Sequence, residues 1–342
     1  MILANGFRWT LPFLAAGLAA CSGAEADASA SLERPITLER VRTIVRHDTT
    51  AATAWLSRIS DLQFDPVRGH LLARDIDDQR IVEFTTDGEF AGYFGRRGEG
   101  PGEISNLRDF AVGTDQVTVF DQGNGKLIFF DRATREMRDE IRFDRRLRDM
   151  AAISDTLLAV TPGPAGTLFE LIHIDDRSLG SFGDGSYTET GDIGLSLDHV
   201  GDGLLSVLKP AIPEGRLYEL DGSVAAEVGF AELEHVLAEW RGDFTEMMER
   251  SRLVDRGGRR ISGGKFWVSP PGALREGSFF LTASPQSLDV NPWEFWVLDL
   301  GGRITGRYVF DRTSIRGFAA SFPTVYALGL GDEFGVYEYH IP

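Results

Sequence analysis

Cysteine occurs once in the 342 residues, at Cys21, so no disulfide can form within the chain. Positive charge is scarce as well: 35 Lys and Arg stand against 52 Asp and Glu, a formal net charge of −17. No basic run offsets that deficit, which argues against nucleic acid as a partner. Only six histidines are present, His47, His70, His173, His199, His235 and His340, and no two stand at metal-ligand spacing. No segment carries the Lys-Ser/Thr ending of a Walker loop, and no Gly-x-Ser-x-Gly elbow occurs. What remains is a globular composition, 42% hydrophobic and 25% charged with 39 glycines, long enough for two ordinary domains or one large all-β body.

The first twenty residues form a separate unit. One basic residue, Arg8, precedes an apolar run from Trp9 to Ala20 that is short for a membrane span and has the length of a signal-peptide core. It ends in Leu18-Ala19-Ala20-Cys21, which resembles the lipobox of bacterial lipoproteins. That resemblance implies cleavage after residue 20, a lipid on Cys21 and a membrane anchor. Lipidation would also remove the chain's one thiol from any nucleophilic role. The small, polar stretch that follows reads as a flexible tether over residues 21–35. Ser22 after the cysteine resembles the outer-membrane sorting pattern of diderm lipoproteins, which implies an exported protein held at the outer membrane and facing the periplasm.

From Ile36 onward the chain repeats itself. "LRDF" at 107–110 and "LRDM" at 147–150 begin similar successions of short apolar runs 40 residues apart, and "ISDLQF" at 59–64 begins another. The runs are four to eight residues long, rich in Val, Ile, Leu, Phe and Tyr. Asp87-Gly88, Asn124-Gly125, Asp221-Gly222 and Gly301-Gly302 separate them as hairpin turns. Four short strands at this period make a propeller blade. Blades are expected near 59–98, 104–144, 147–184, 195–230 and 261–310. A sixth, 315–341, has only three strands of its own. Alternating "ITLERVRTIVR", Ile36–Arg46, is expected to be its fourth, closing the ring and covering two sheet edges. The fold class is all-β, a six-bladed β-propeller over residues 36–342.

The segment "GYFGRRGEGPGEI", Gly92–Ile104, looks at first like a phosphate cradle. A dinucleotide fingerprint needs a third glycine where this sequence continues to Glu103, Pro101 removes an amide donor, and a strand follows instead of a helix. The segment therefore reads as the link between two blades. Together with "DQGNGKLIFFD" it resembles the six-bladed propellers related to the NHL-repeat group, whose blades carry a Gly-x-Gly-Pro-Gly-Glu link and an Asp-x-x-Asn-x-Lys-Ile/Leu turn. The resemblance implies the fold of residues 36–342 and not an activity, because the group includes binding scaffolds beside unrelated enzymes.

Candidate site residues lie at the starts of the inner strands, near one mouth of the channel. These are Arg108 and Asp109, Arg148 and Asp149, His199 beside Asp198, and Arg316, with Ser60 and Asp61 at the corresponding place in the first blade. Converging guanidiniums could hold an anion, or each could pair with a neighbouring aspartate and tie the ring together. Asp61, Asp109 and Asp149 could instead hold a hard cation such as Ca²⁺, as in a lyase- or lactonase-like propeller enzyme. No full set of metal ligands or catalytic residues is recognisable, and no cofactor is implied. Two further features stand apart. Residues 231–260 have helical apolar spacing and read as a helical insert, and "NPWEFWVLDL" concentrates Trp293, Phe295 and Trp296, of which one exposed Trp would suit a recognition surface. The function expected is non-catalytic binding of a protein, peptide or glycan, with the cation-dependent enzyme as the alternative.

Overall fold

The computed structural model describes residues 35–46, 58–145, 147, 149–161, 163, 166–174, 179–184, 195–200, 203–208, 214–229, 278–283, 294–299, 303–311, 315–329 and 334–342. The expected signal peptide, all but the last residue of the expected tether, Arg148, the expected insert at 231–260 and Trp293 lie outside the described residues.

Two strands open the described chain, β1 (Ile36–Leu38) and β2 (Arg40–Arg46). Blade I follows as β3 (Ile59–Asp65), β4 (His70–Asp75), β5 (Arg80–Thr85) and β6 (Phe90–Phe94). A two-residue pair, β7 (Arg96–Arg97) and β8 (Glu103–Ile104), links it to the next blade. Blade II is β9 (Leu107–Val112), β10 (Gln116–Asp121), β11 (Lys126–Asp131) and β12 (Met137–Arg142). Blade III is β13 (Asp149–Ala152), β14 (Leu157–Thr161), β15 (Thr167–His173) and β16 (Gly180–Asp184). Blade IV is β17 (Leu195–Val200), β18 (Gly203–Leu208), β19 (Glu214–Glu219) and β20 (Val224–Gly229). Blade V contains β21 (Ser278–Ala283), β22 (Glu294–Asp299) and β23 (Ile304–Phe310), and blade VI contains β24 (Ile315–Ser321), β25 (Thr324–Gly329) and β26 (Gly335–His340).

The N-terminal strands complete the last two blades, and here the structure departs from the sequence reading. Ile36–Arg46 is not one strand of blade VI. β2 pairs antiparallel with β26, as expected, but β1 pairs parallel with β23 and supplies the fourth strand of blade V. Leu38, 1% exposed, lies in a cluster with Phe295, Phe310, Phe318 and Tyr339, while Ile44 and Val45 enter a different cluster with Leu62, Val82 and Leu328. The segment is divided because its apolar residues belong to two separate cores.

Blade II is packed between blades I and III in one core cluster, so its middle strands are covered on both faces. β10 is buried along its whole length, and β11 is buried from Lys126 to Phe130. Such strands read as continuous apolar runs instead of strict alternation. Inner strands lie beside one another, with β24 next to β3, β9 next to β13 and β13 next to β17. Aromatic side chains fill the seam between blades V and VI: Phe295 meets Phe318 at 4.9 Å and Tyr308 at 5.3 Å, and Phe310 meets Tyr339 at 4.9 Å. Fully burying each such ring contributes roughly 1.5–3 kcal/mol relative to exposure. Trp296 is 2% exposed, so it is not an open recognition residue.

Candidate functional site

The glycine-rich link serves as a structural clasp. Its amides are already used: Gly98 donates to the Ile104 carbonyl at 3.0 Å, Gly100 to Glu103 Oε2 at 2.9 Å, and Gly102 to Glu140 Oε2 at 3.1 Å. Its carbonyls are engaged by the turn of blade II, with Asn124 Nδ2 donating to Gly98 O and Lys126 Nζ to Gly100 O. Asp121 organises that turn by accepting from the amides of Ser105, Asn106 and Gly123 and from Asn124 Nδ2. Every donor that would meet a phosphate at these three glycines is therefore satisfied within the protein.

A second network, which sequence reasoning missed, joins blade I to blade II. Arg132 is 0% exposed; its Nη2 lies 2.5 Å from Asp65 Oδ2 and 3.6 Å from Glu83 Oε1, and its Nη1 donates to the Gly113 carbonyl at 3.0 Å. Glu83 also receives His70 Nδ1 at 2.9 Å and Arg135 Nη2 at 2.7 Å. Burial pushes the Glu83 carboxyl up, but the hydrogen bonds from His70 and Arg135 outweigh it and hold the group below the usual carboxylate range. Arg132 and Asp65 stand 67 positions apart, so no local motif announces this network.

The inner strands of blades I to III present three aspartates at corresponding places, Asp61 on β3, Asp109 on β9 and Asp149 on β13. Each is held by the same local bond: the following residue's amide, Leu62, Phe110 or Met150, donates to its Oδ1 at 2.9 Å. Asp61 and Asp149 are half-buried, but Asp109 is only 8% exposed. Its Oδ2 is buried and has no hydrogen-bond partner among the described residues. Burial, then the charges of Asp149 and Asp61, push the Asp109 carboxyl well above its ordinary range; Arg74 and the Phe110 amide act the other way. Arg74 is committed elsewhere. Its Nε donates to Ser60 Oγ at 2.9 Å, and its Nη1 donates to the Arg108 carbonyl, bridging blades I and II. Gln63 Nε2 reinforces the same seam by donating to the Phe110 carbonyl at 2.8 Å.

Arg108 precedes Asp109, so strand alternation turns the two to opposite faces of β9, and its side chain is exposed. His199 stands opposite Leu204 in the pairing of β17 with β18, and Arg316 lies on β24 beside Gly317, which supplies no carboxylate where blades II and III carry one. The side chains of His199 and Arg316 lie outside the described residues, as does all of Arg148. The structure thus brings Asp109 into electrostatic reach of both Asp61 and Asp149. Among the described residues no three His, Cys, Asp or Glu side chains converge closely enough to hold a metal ion.

Six four-stranded sheets among the described residues, inner strands side by side and a terminal strand closing the ring, define a six-bladed β-propeller, here with an acidic inner rim. A family model described as "6-bladed beta-propeller" matches residues 49–159, which span blade I, blade II and the first part of blade III. Among solved structures the chain is similar to a Bacteroides fragilis protein described as exported, at 12% identity and a TM-score of 0.57, covering 88% of this chain and 94% of that one. It is similar also to the β-propeller domain of Cps50 (Swd1) from Myceliophteria thermophila, at 11% identity and a TM-score of 0.51, over 89% of this chain and 100% of that one. The WD40 repeats of RRP9 match at 12% identity and a TM-score of 0.51, with the same two coverages. At these identities the likeness concerns the fold alone. No curated protein matches the chain.

Proposed function

We propose that this protein is an exported, lipid-anchored propeller of the NHL-related kind that binds a protein, peptide or glycan without catalysis, at the channel mouth formed by blades I to III. The observation that carries the reading is the unspent Asp109 Oδ2. The buried carboxylates that hold blades together are satisfied: Asp65, Glu83 and Asp121 each accept from two or more donors. Asp109 sits on the inner rim, its Oδ2 takes no part in such a clasp, and a buried acceptor without a donor costs roughly 1–3 kcal/mol. A ligand that supplies the donor accounts for its retention.

The apolar run ending at Cys21 supports export and anchoring, and the description of the Bacteroides fragilis relative as exported agrees with it. Mass spectrometry of the mature N-terminal peptide tests this part: a diacylglyceryl group on Cys21 is expected, and an unmodified cysteine or an intact leader would refute it. Binding is tested by probing peptide and glycan arrays with the detergent-solubilised protein and its Asp109→Asn and Asp149→Asn variants. Signals that both variants retain in full would move the site away from the channel.

The raised Asp109 carboxyl also favours a second reading, a channel-centred enzyme with Asp109 as general acid. Turnover of lactone or uronide substrates that is lost in Asp109→Asn would select it over the binding role.

A further inference from the structure

We propose that the blade I–III rim recognises a cationic nitrogen group, an ammonium or guanidinium carried by its ligand, with Asp109 as the buried acceptor. This rests on the channel-mouth reading above and names the chemistry of what binds there.

The charges of Asp61 and Asp149, on the inner strands of blades I and III, act on Asp109 between them, and Asp109 has an oxygen without a partner while 8% exposed. The nearest described cation, Arg74, spends its guanidinium on Ser60 and the Arg108 carbonyl, so it does not satisfy Asp109 Oδ2. What the site lacks is a donor with positive charge. A bare metal ion suits it poorly: hard cations such as Ca²⁺ gather six to eight oxygens at about 2.3–2.6 Å, and no three described carboxylates or histidines converge to that degree. Ammonium and guanidinium groups carry three and five N–H donors pointing in different directions, and can reach acceptors set on separate strands.

Proton balance follows from the same surroundings. The groups whose charges act on the Asp109 carboxyl are Asp61 from β3, Arg74 from β4 and Asp149 from β13, and the two aspartates disfavour a third negative charge. An arriving cation reverses that preference, so the carboxyl loses its proton to solvent as the nitrogen group binds. Affinity then rises with pH until Asp109 is ionised in the free protein.

Calorimetric titration of the detergent-solubilised full chain with agmatine, which carries both nitrogen groups, tests this in buffers of different ionisation enthalpy. Saturable binding with net proton release is expected. Asp109→Asn should abolish the release and weaken binding about ten-fold or more, the scale of losing one charge-assisted hydrogen bond. Asp149→Asn should weaken binding while leaving a smaller release. A melt of each variant establishes that it is folded, and should Asp109→Asn not fold, the proton release and pH profile of the native protein decide the matter. No agmatine binding, or binding unchanged in Asp109→Asn, overturns the inference, as does Ca²⁺ binding that excludes agmatine. If agmatine fails while array ligands still depend on Asp109, the channel reading stands and only the cation assignment falls. If no ligand depends on Asp109, both fall.

Discussion

Arg132 of blade II meets Asp65 of blade I at 2.5 Å with both side chains enclosed, so two adjacent blades are joined through an ion pair without access to water. Replacing one partner leaves the other charged and uncompensated. Arg132→Met should therefore cost about 3–5 kcal/mol, read as a lowered unfolding midpoint. Adding Asp65→Asn should recover part of that loss; a double variant no better than the single one would show that Asp65 does not depend on Arg132.

Acid should weaken the same seam through Glu83. Its folded-state carboxyl is held below the ordinary value of 4.5 by His70 and Arg135 against the opposing effect of burial. A depressed carboxylate contributes stability that is present above the unfolded value and is lost as pH falls through the folded one. The melting midpoint should accordingly decline below about pH 4.5. Glu83→Gln should lower the midpoint at pH 7 and flatten this part of the profile, which a pH series of thermal melts would reveal.

Asp109 has the opposite sign. Its carboxyl is raised above the ordinary 3.8, so its contribution to stability is complete below that pH and is lost as pH rises through the folded-state value. Asp109→Asn should raise the melting midpoint at pH 7 and change it little near pH 3. Stabilisation that is equal at both pH values would place its origin in packing.

Gly88 controls the docking of blade I on the N-terminal strand. Its φ is +85°, and a Cβ there would lie 2.1 Å from the Ile44 carbonyl oxygen of β2. Gly88→Ala should cost about 1–3 kcal/mol and expose the 36–46 segment to protease before the rest of the ring. Unchanged proteolysis of that segment would show the contact to be dispensable.

Blade number, strand runs and the hairpin turns at Asp87-Gly88, Asn124-Gly125 and Asp221-Gly222 were legible because each depends on residues close in sequence. The clasp role of Gly92–Ile104 was legible for the same reason: Pro101 and Glu103 carry it locally. The division of Ile36–Arg46 was not, since Leu38 and Ile44 are assigned to different blades by partners more than 250 residues away, Phe310 and Leu328. Repetition marked Asp61, Asp109 and Asp149 as equivalent positions. That Asp109 alone of the three combines near-complete burial with an unpartnered oxygen depends on the seam between blades, where Arg74 takes up Ser60 and the Arg108 carbonyl.

Arg42 bonds to Glu338 across 296 residues of chain. The strands that complete blades V and VI are thus synthesised early, while their partners β23 and β26 come near the end. Until Gly335–His340 is available, Ile36–Arg46 is an unpaired strand-former, the kind of segment that seeds aggregation. Its four charged residues, Glu39, Arg40, Arg42 and Arg46, act as gatekeepers during that interval. The same side chains that decorate an outer strand in the finished ring keep the waiting segment soluble while the ring is still open.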